Sequence, residues 1–314
     1  MISVLMPAYN AEKYISIAIE SIINQTYQNW ELLICDDFST DRTYPIANSY
    51  DDPRIKLYKN RENRKKPFAV NLLFQHSIGD LITIHDADDI SLPLRFQKIV
   101  QFFEKRKDIF MCGHDIERMN EQGVPLGLYR HKKIDYEQIK KDMENDNSDG
   151  DPSNFIRRDV LLGFNGEVLR SYFQNNMDYD LALRVIERYK STNIPEVLSY
   201  YRNVANSISK NVPTFHKLVT KHITIHLAQQ RKTTGRDALE CGDWKTIRKL
   251  ESYYSKPYIL DKTLHFREMS SFFMYCKMYS TAVQYAWLAV RNEPIKLINW
   301  RTLQYCLRKA LIAR

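Results

Sequence analysis

Nowhere in its 314 residues does the sequence hold an uninterrupted apolar run near the roughly 18–20 residues that a membrane-spanning helix needs. Its start, Met1-Ile2-Ser3-Val4-Leu5-Met6-Pro7, lacks a basic n-region and a cleavage-site pattern. The expected location is therefore the cytoplasm. There is no C-x-x-C pair among Cys35, Cys112, Cys241, Cys276 and Cys306. Scattered and odd in number, these cysteines exclude a disulfide framework and read as reduced, mostly buried thiols. Also missing are G-x-G-x-x-G and G-x-x-x-x-G-K-[ST] after the first predicted strand, so dinucleotide binding and a P-loop lose their signatures. Finally, the last third is poor in acid. Residues 211–314 carry 18 Lys+Arg against 7 Asp+Glu, whereas residues 1–210 carry 28 against 31, so the net charge of +8 resides in the C-terminal third. Such a segment expects an anionic membrane surface as partner. Nucleic acid is not expected, because no recognised binding motif accompanies the charge.

Short apolar runs alternate with amphipathic stretches over residues 1–210, which predicts an α/β domain, and helical periods without strand signals follow from about Val212, which predicts an all-helical appendage over 211–314. Ile2–Met6, Trp30–Cys35, Ile55–Tyr58, Leu81–Ile84 and Ile109–Cys112 read as strands, with a further strand near Glu196–Tyr201. Asn10 is the expected N-cap of a helix with Ile15, Ala18, Ile19 and Ile22 at i, i+3, i+4, i+7. Helices are also expected at Phe68–His76, Leu92–Arg106 and Tyr179–Tyr189, and the acid-rich stretch Asp142–Asp151 reads as a loop. Phe273, Tyr279, Ala282, Ala289 and Pro294 have the spacing of a tetratricopeptide helix pair.

Acidic clusters end two of the predicted parallel strands, at the edge where open α/β sheets bind ligands. Asp86-Ala87-Asp88-Asp89 follows the fourth strand. In an extended segment Asp86 and Asp88 would face the same way, and crowded carboxylates call for a cation between them. Mg²⁺ or Mn²⁺ suits such oxygen ligands together with substrate phosphates. Asp36-Asp37 ends the second strand, and the Asp37 carboxylate could accept hydrogen bonds from a nucleobase or ribose.

Taken in order, Pro7-Ala8-Tyr9-Asn10, Cys35-Asp36-Asp37-Phe38-Ser39-Thr40-Asp41, Asp86-Ala87-Asp88-Asp89, Phe155-Ile156-Arg157-Arg158, Met177-Asp178-Tyr179-Asp180-Leu181 and Tyr200-Tyr201-Arg202 resemble the family 2 glycosyltransferases over about residues 1–210. The resemblance implies a GT-A fold, Rossmann-like, with a mainly parallel sheet flanked by helices. It implies that Pro7, Ala8, Tyr9, Asn10, Asp37, Asn71, Asp86 and Ala87 hold the nucleotide of a nucleotide-sugar donor, and that Asp86, Asp88 and Asp89 serve Mn²⁺ or Mg²⁺ at the diphosphate. Asp178 is then the catalytic base of an inverting transfer to a saccharide or glycolipid acceptor.

Several residues depart from the family pattern. Phe38 stands where glycine is usual, so the turn after Asp37 is expected to need a different backbone conformation. Val70 replaces an arginine before Asn71, Met177 a glutamate, and Asp151 and Val204 replace histidines. Those departures keep a degenerate, membrane-associated scaffold as an alternative. A sugar nucleotidyltransferase is another, although its Gly-rich N-terminal signature is missing. The tail Trp300–Arg314, with Leu303, Leu307 and Leu311 at four-residue spacing among Arg301, Arg308, Lys309 and Arg314, is expected to lie on the inner face of the cell membrane as a peripheral contact.

Overall fold

A computed structural model describes residues 1–130, 133–143, 153–203, 214–275 and 278–312. The chain divides into two compact units, Met1–Ser209 and Lys210–Arg314.

In the first unit, β1 (Ile2–Ala8), β2 (Trp30–Asp36), β3 (Ile55–Lys59) and β4 (Leu81–Ile84) are mutually parallel neighbours. Continuous aliphatic runs such as Leu32-Leu33-Ile34 suit strands covered on both faces, and β2 and β4 are buried along their whole length. Beyond them lie β5 (Ile90–Ser91), β6 (Met111–Met119), β7 (Pro125–Arg130), β8 (Phe155–Arg157) and β9 (Ser191–Arg202). The sheet order is β3-β2-β1-β4-β8-β6-β9-β5, with β7 on β6. Here the sheet is mixed: β6 and β9 are parallel, but β8 runs antiparallel to both β4 and β6. Sequence reading ends the fifth strand at Cys112, where the apolar run stops. The strand continues because β9 pairs along it through the buried His114, Asp115 and Glu117, with β7 joining on the other side from Ile116.

Seven helices of this unit are described: α1 (Ile15–Ile23), α2 (Thr43–Asn48), α3 (Lys65–His76), α4 (Arg95–Lys105), α5 (Tyr136–Met143), α6 (Arg158–Leu162) and α7 (Met177–Ile186). The expected Ile15, Ala18, Ile19 and Ile22 are the buried face of α1. Together with Val4, Met6, Leu32, Phe96, Ile99 and Phe155 they form the main core, each large side chain contributing roughly 1.5–3 kcal/mol. Asn10 is not the cap of α1, whose N-cap is Tyr14. It takes a left-handed φ of 50° and accepts the Thr40 N–H at 2.9 Å, fastening the β1 loop to the turn after β2. Asp142 and Met143 belong to α5 rather than to a loop; the remainder of the Asp142–Asp151 stretch, Val204 and Cys276 lie outside the described residues. Of the other cysteines, Cys35, Cys112 and Cys306 are buried and Cys241 is exposed.

In the second unit α8 (Thr214–Thr234), α9 (Trp244–Leu260), α10 (Leu264–Tyr275), α11 (Tyr279–Asn292) and α12 (Leu297–Ile312) follow one another. Ala282 and Ala286, small enough to let helices approach closely, pack with Val290, Leu303 and Cys306. The leucine row of the tail is therefore not one outward face. Leu303 is 7% exposed, whereas Leu307 is 44% and Leu311 70% exposed. At 3.6 residues per turn, each four-residue step rotates the row by about 40°. No helix among the described residues is long and apolar enough to cross a membrane.

Candidate active site

Because β1, β2 and β4 run in parallel, the segments that follow them meet at one sheet edge. Asp37 N–H donates to the Ala8 carbonyl (2.8 Å) and His85 N–H to the Leu5 carbonyl (2.9 Å). Thus Tyr9 and Asn10, Asp37 and Asp86 emerge side by side. Pro7 and Ala8 are the last residues of β1, and Tyr9 beyond them is 51% exposed.

Asp37 is buried, and its carboxylate already accepts three protein hydrogen bonds: Asn60 Nδ2 at 2.7 Å, Arg64 N–H at 2.9 Å and Lys65 N–H at 2.7 Å. It thereby anchors the start of α3 to the end of β2. Phe38 after it adopts φ 64°, the left-handed conformation that glycine supplies cheaply. Phe38 itself takes this strained conformation, and the residue is 48% exposed.

The segment Asp86–Asp89 is a turn and not the extended strand end assumed from sequence, with the Asp89 N–H donating to the Asp86 carbonyl at 3.2 Å. Ala87 is buried in the core beneath it. Asp89 is also buried, and its Oδ1 accepts the Arg202 N–H at 2.9 Å. The Arg202 guanidinium donates to the Asp88 carbonyl at 2.7 Å and lies over the Tyr14 ring. Arg202 thus clamps the acidic turn from β9. Burial pushes Asp88 up to about 6, and the negative Asp86 adds to the rise. Burial likewise drives Asp89 well up, reinforced by Asp88 and Asp86.

A residue overlooked in the sequence lies at the centre. Lys66 Nζ donates to Asp86 Oδ1 at 2.7 Å and is 4.0 Å from Asp178 Oδ2, with a side chain only 11% exposed. Burial opposes its charge, but Asp178 and Asp86 outweigh burial and hold the ammonium firmly protonated. Its unusual placement shows only in the structure: α3 begins at Lys65 rather than at Phe68, so Lys65 and Lys66 open the helix, where the dipole disfavours cations, and Lys65 takes φ 71°. Residues that oppose a local rule mark places where tertiary structure asks for them.

Asp178 lies in the first turn of α7, where the dipole favours a negative charge, after Asn176 at a left-handed φ of 57°. Beneath that turn the buried Asp180 accepts from Arg170 Nε at 2.8 Å and Arg184 Nε at 3.1 Å. An apolar recess walled by Ile84, Ile156, Val168 and Leu181 adjoins Asp178. Asn71 is tied to the segment before α7: its amide donates to the Leu169 carbonyl at 2.8 Å and accepts the Leu169 N–H at 3.0 Å. It braces the segment leading into α7.

Lys66 therefore joins Asp86 and Asp178, with Asp88 close enough to Asp86 to feel its charge, and Asp37 holds the loop that delivers Lys66. Asp89 and Asn71 act as braces. The described residues include no group of three or more His, Cys, Asp or Glu side chains placed to hold a metal. Two crowded carboxylates still suit a hard divalent cation, which commonly takes one or two of them and completes its shell with substrate phosphates and water.

Residues 3–163 match the profile of Glycosyl transferase family 2. Two Escherichia coli relatives are similar over most of their length. UDP-Glc:alpha-D-GlcNAc-diphosphoundecaprenol beta-1,3-glucosyltransferase WfgD is 31% identical over 67% of this chain and 80% of its own. O-antigen biosynthesis glycosyltransferase WbnJ is 29% identical over 77% and 93%. The match to EpsE of Bacillus subtilis is closer, 41% identical, but spans only 45% of that protein. In fold, the chain is similar to S. aureus TarS 1-349 solved with UDP-GlcNAc (TM-score 0.63, 15% identity, 98% of this chain and 87% of that one). Mannosyltransferase PcManGT from Pyrobaculum calidifontis, solved with GDP-Man and Mn²⁺, also resembles it (TM-score 0.54, 16% identity, 99% and 86%).

Proposed function

Because the chain belongs to glycosyl transferase family 2 and has the GT-A fold, we propose that it is a metal-dependent, inverting enzyme of surface polysaccharide biosynthesis. It moves a sugar from a nucleotide diphosphate sugar, a UDP-sugar, to a saccharide or glycolipid acceptor. The observation that carries this reading is the convergence of Asp86, from the end of β4, and Asp178, from the start of α7, on one ammonium at the open sheet edge.

Asp86 and Asp88 would hold Mn²⁺ or Mg²⁺, which as a Lewis acid offsets the charge that develops on a departing diphosphate. Asp37 and the Pro7–Asn10 loop line the side of the edge assigned to the nucleoside. Asp178 takes the proton from the acceptor hydroxyl as its oxygen bonds to the anomeric carbon. The bond from that carbon to the diphosphate oxygen breaks, and its electron pair leaves with the nucleotide. Displacement in one step from the opposite face inverts the anomeric centre, whereas retention through two displacements would want a second carboxylate as nucleophile. WfgD is named for a UDP-Glc donor and a diphosphoundecaprenol-linked acceptor, which supports a glycolipid acceptor and a peripheral position on the inner face of the membrane.

UDP release measured with a panel of UDP-sugars and Mn²⁺ tests the reading. Asp178→Asn is expected to lose about 10²–10⁴-fold in kcat while its UDP affinity stays unchanged. Near-normal turnover in that variant would refute the role of Asp178, and no release from any donor by the wild type would favour the scaffold alternative.

A further inference from the structure

The carboxylates of Asp86, Asp88 and Asp89 lie close enough in the acidic turn to feel one another's charge, and Lys66, whose side chain is largely covered, lies against Asp86 and the Asp178 carboxylate of α7. Its position is built in. Asp37 binds the N–H groups of Arg64 and Lys65, and the left-handed turn at Lys65 aims the next side chain inward. Only 11% of that side chain is exposed, and its ammonium donates to Asp86 Oδ1 at 2.7 Å.

From this geometry we infer that Lys66 is the resident counter-ion of the donor site, competing with a divalent cation for Asp86 and yielding it only when a nucleotide diphosphate arrives. The inference rests on the metal-dependent reading above. Two cations cannot share one carboxylate oxygen at close range without strong repulsion. A cation that takes Oδ1 of Asp86 must displace Nζ, and one that takes the other oxygen sits beside the ammonium; in the absence of nucleotide either arrangement leaves two cations facing each other. A diphosphate removes that obstacle, because its oxygens accept the ammonium and complete the metal's shell together. Metal and nucleotide should consequently bind with strong mutual dependence, and by linkage each must raise the other's affinity by the same factor.

Mn²⁺ binding to the full chain, followed by electron paramagnetic resonance with and without UDP, provides the test independently of turnover. The wild type should bind Mn²⁺ weakly alone and tightly with UDP. Lys66→Met should bind Mn²⁺ alone at least about tenfold more tightly, and the enhancement by UDP should shrink. Lys66→Arg should keep the wild-type pattern. Thermal unfolding monitors folding of each variant, and Lys66→Gln replaces the methionine variant if that one unfolds. Unchanged nucleotide-free Mn²⁺ affinity in Lys66→Met or Lys66→Gln, alongside intact UDP-dependent binding, would overturn the counter-ion role alone. Failure of the wild type to bind Mn²⁺ even with UDP would overturn the metal-dependent reading, and the inference with it.

Discussion

At Phe38 a single side chain works against its own backbone. A left-handed conformation costs an L-residue roughly 1–2 kcal/mol, and glycine returns part of that gain through its freer unfolded chain. With φ 64° and the residue half exposed, Phe38→Gly should stabilise the protein by about 0.5–1 kcal/mol in urea unfolding. A loss of stability there would mean that ring contacts outweigh strain. Asp37 beside it anchors three donors, so this turn serves to place Lys66 as much as to meet a nucleoside. Neither fact is written in a local pattern: the motif around Asp36-Asp37 was legible, but its coupling to residues 64–66 crosses from one strand end to a helix start.

Among elements, α7 shows how a helix is aimed. Asp180, fully buried, pairs with Arg170 and Arg184, and Arg184 also donates to the Glu167 and Val168 carbonyls. Removing the shared carboxylate leaves two buried guanidinium groups without it. Asp180→Ala should therefore cost about 3–5 kcal/mol in unfolding free energy and lower turnover through misplacement of Asp178; a change below about 1 kcal/mol would show the network to be dispensable. In the helical unit, Asp261 accepts from Arg267, from Lys296 at 2.5 Å and from Thr263 N–H at 3.1 Å. Burial alone would raise its pKa, but these donors outweigh burial and hold it well below the usual carboxylate range. A depressed value in the folded state contributes stability at pH above about 4, where the unfolded group is ionised. That contribution fades as pH falls through the folded value. Asp261→Asn should cost about 1 kcal/mol at pH 7, discounted for partial exposure, and the gap to wild type should narrow in acid. A gap that stayed constant down to strong acid would remove Asp261 from that role.

On the scale of the whole molecule, the basic charge resides in the unit Lys210–Arg314, and a peripheral membrane contact remains the proposed use of that charge. Leu303 and Cys306 are core residues of that unit, so deleting the tail would damage folding as well as binding. Leu307 and Leu311 are the outward positions. Flotation with anionic liposomes should weaken in high salt, which screens exposed charges within about 10 Å at 0.1 M, and further in a Leu307→Glu, Leu311→Glu double variant. Absence of flotation at low salt would discard the contact.

Local pattern was sufficient for the strands β1 to β4, the buried face of α1 and the acids at the strand ends, because apolar periodicity and chain order are properties of neighbouring residues. The family was legible for the same reason, as ordered short motifs. Tertiary structure alone decided which side chains share the site. Lys66 reaches Asp178, Asn71 closes on Leu169, and Arg202 clamps Asp88 and Asp89 because sheet order and the parallel run of β1, β2 and β4 bring remote segments to one edge. Hydrophobic burial sets that order across the whole chain, so these pairings leave no trace in the spacing of nearby residues.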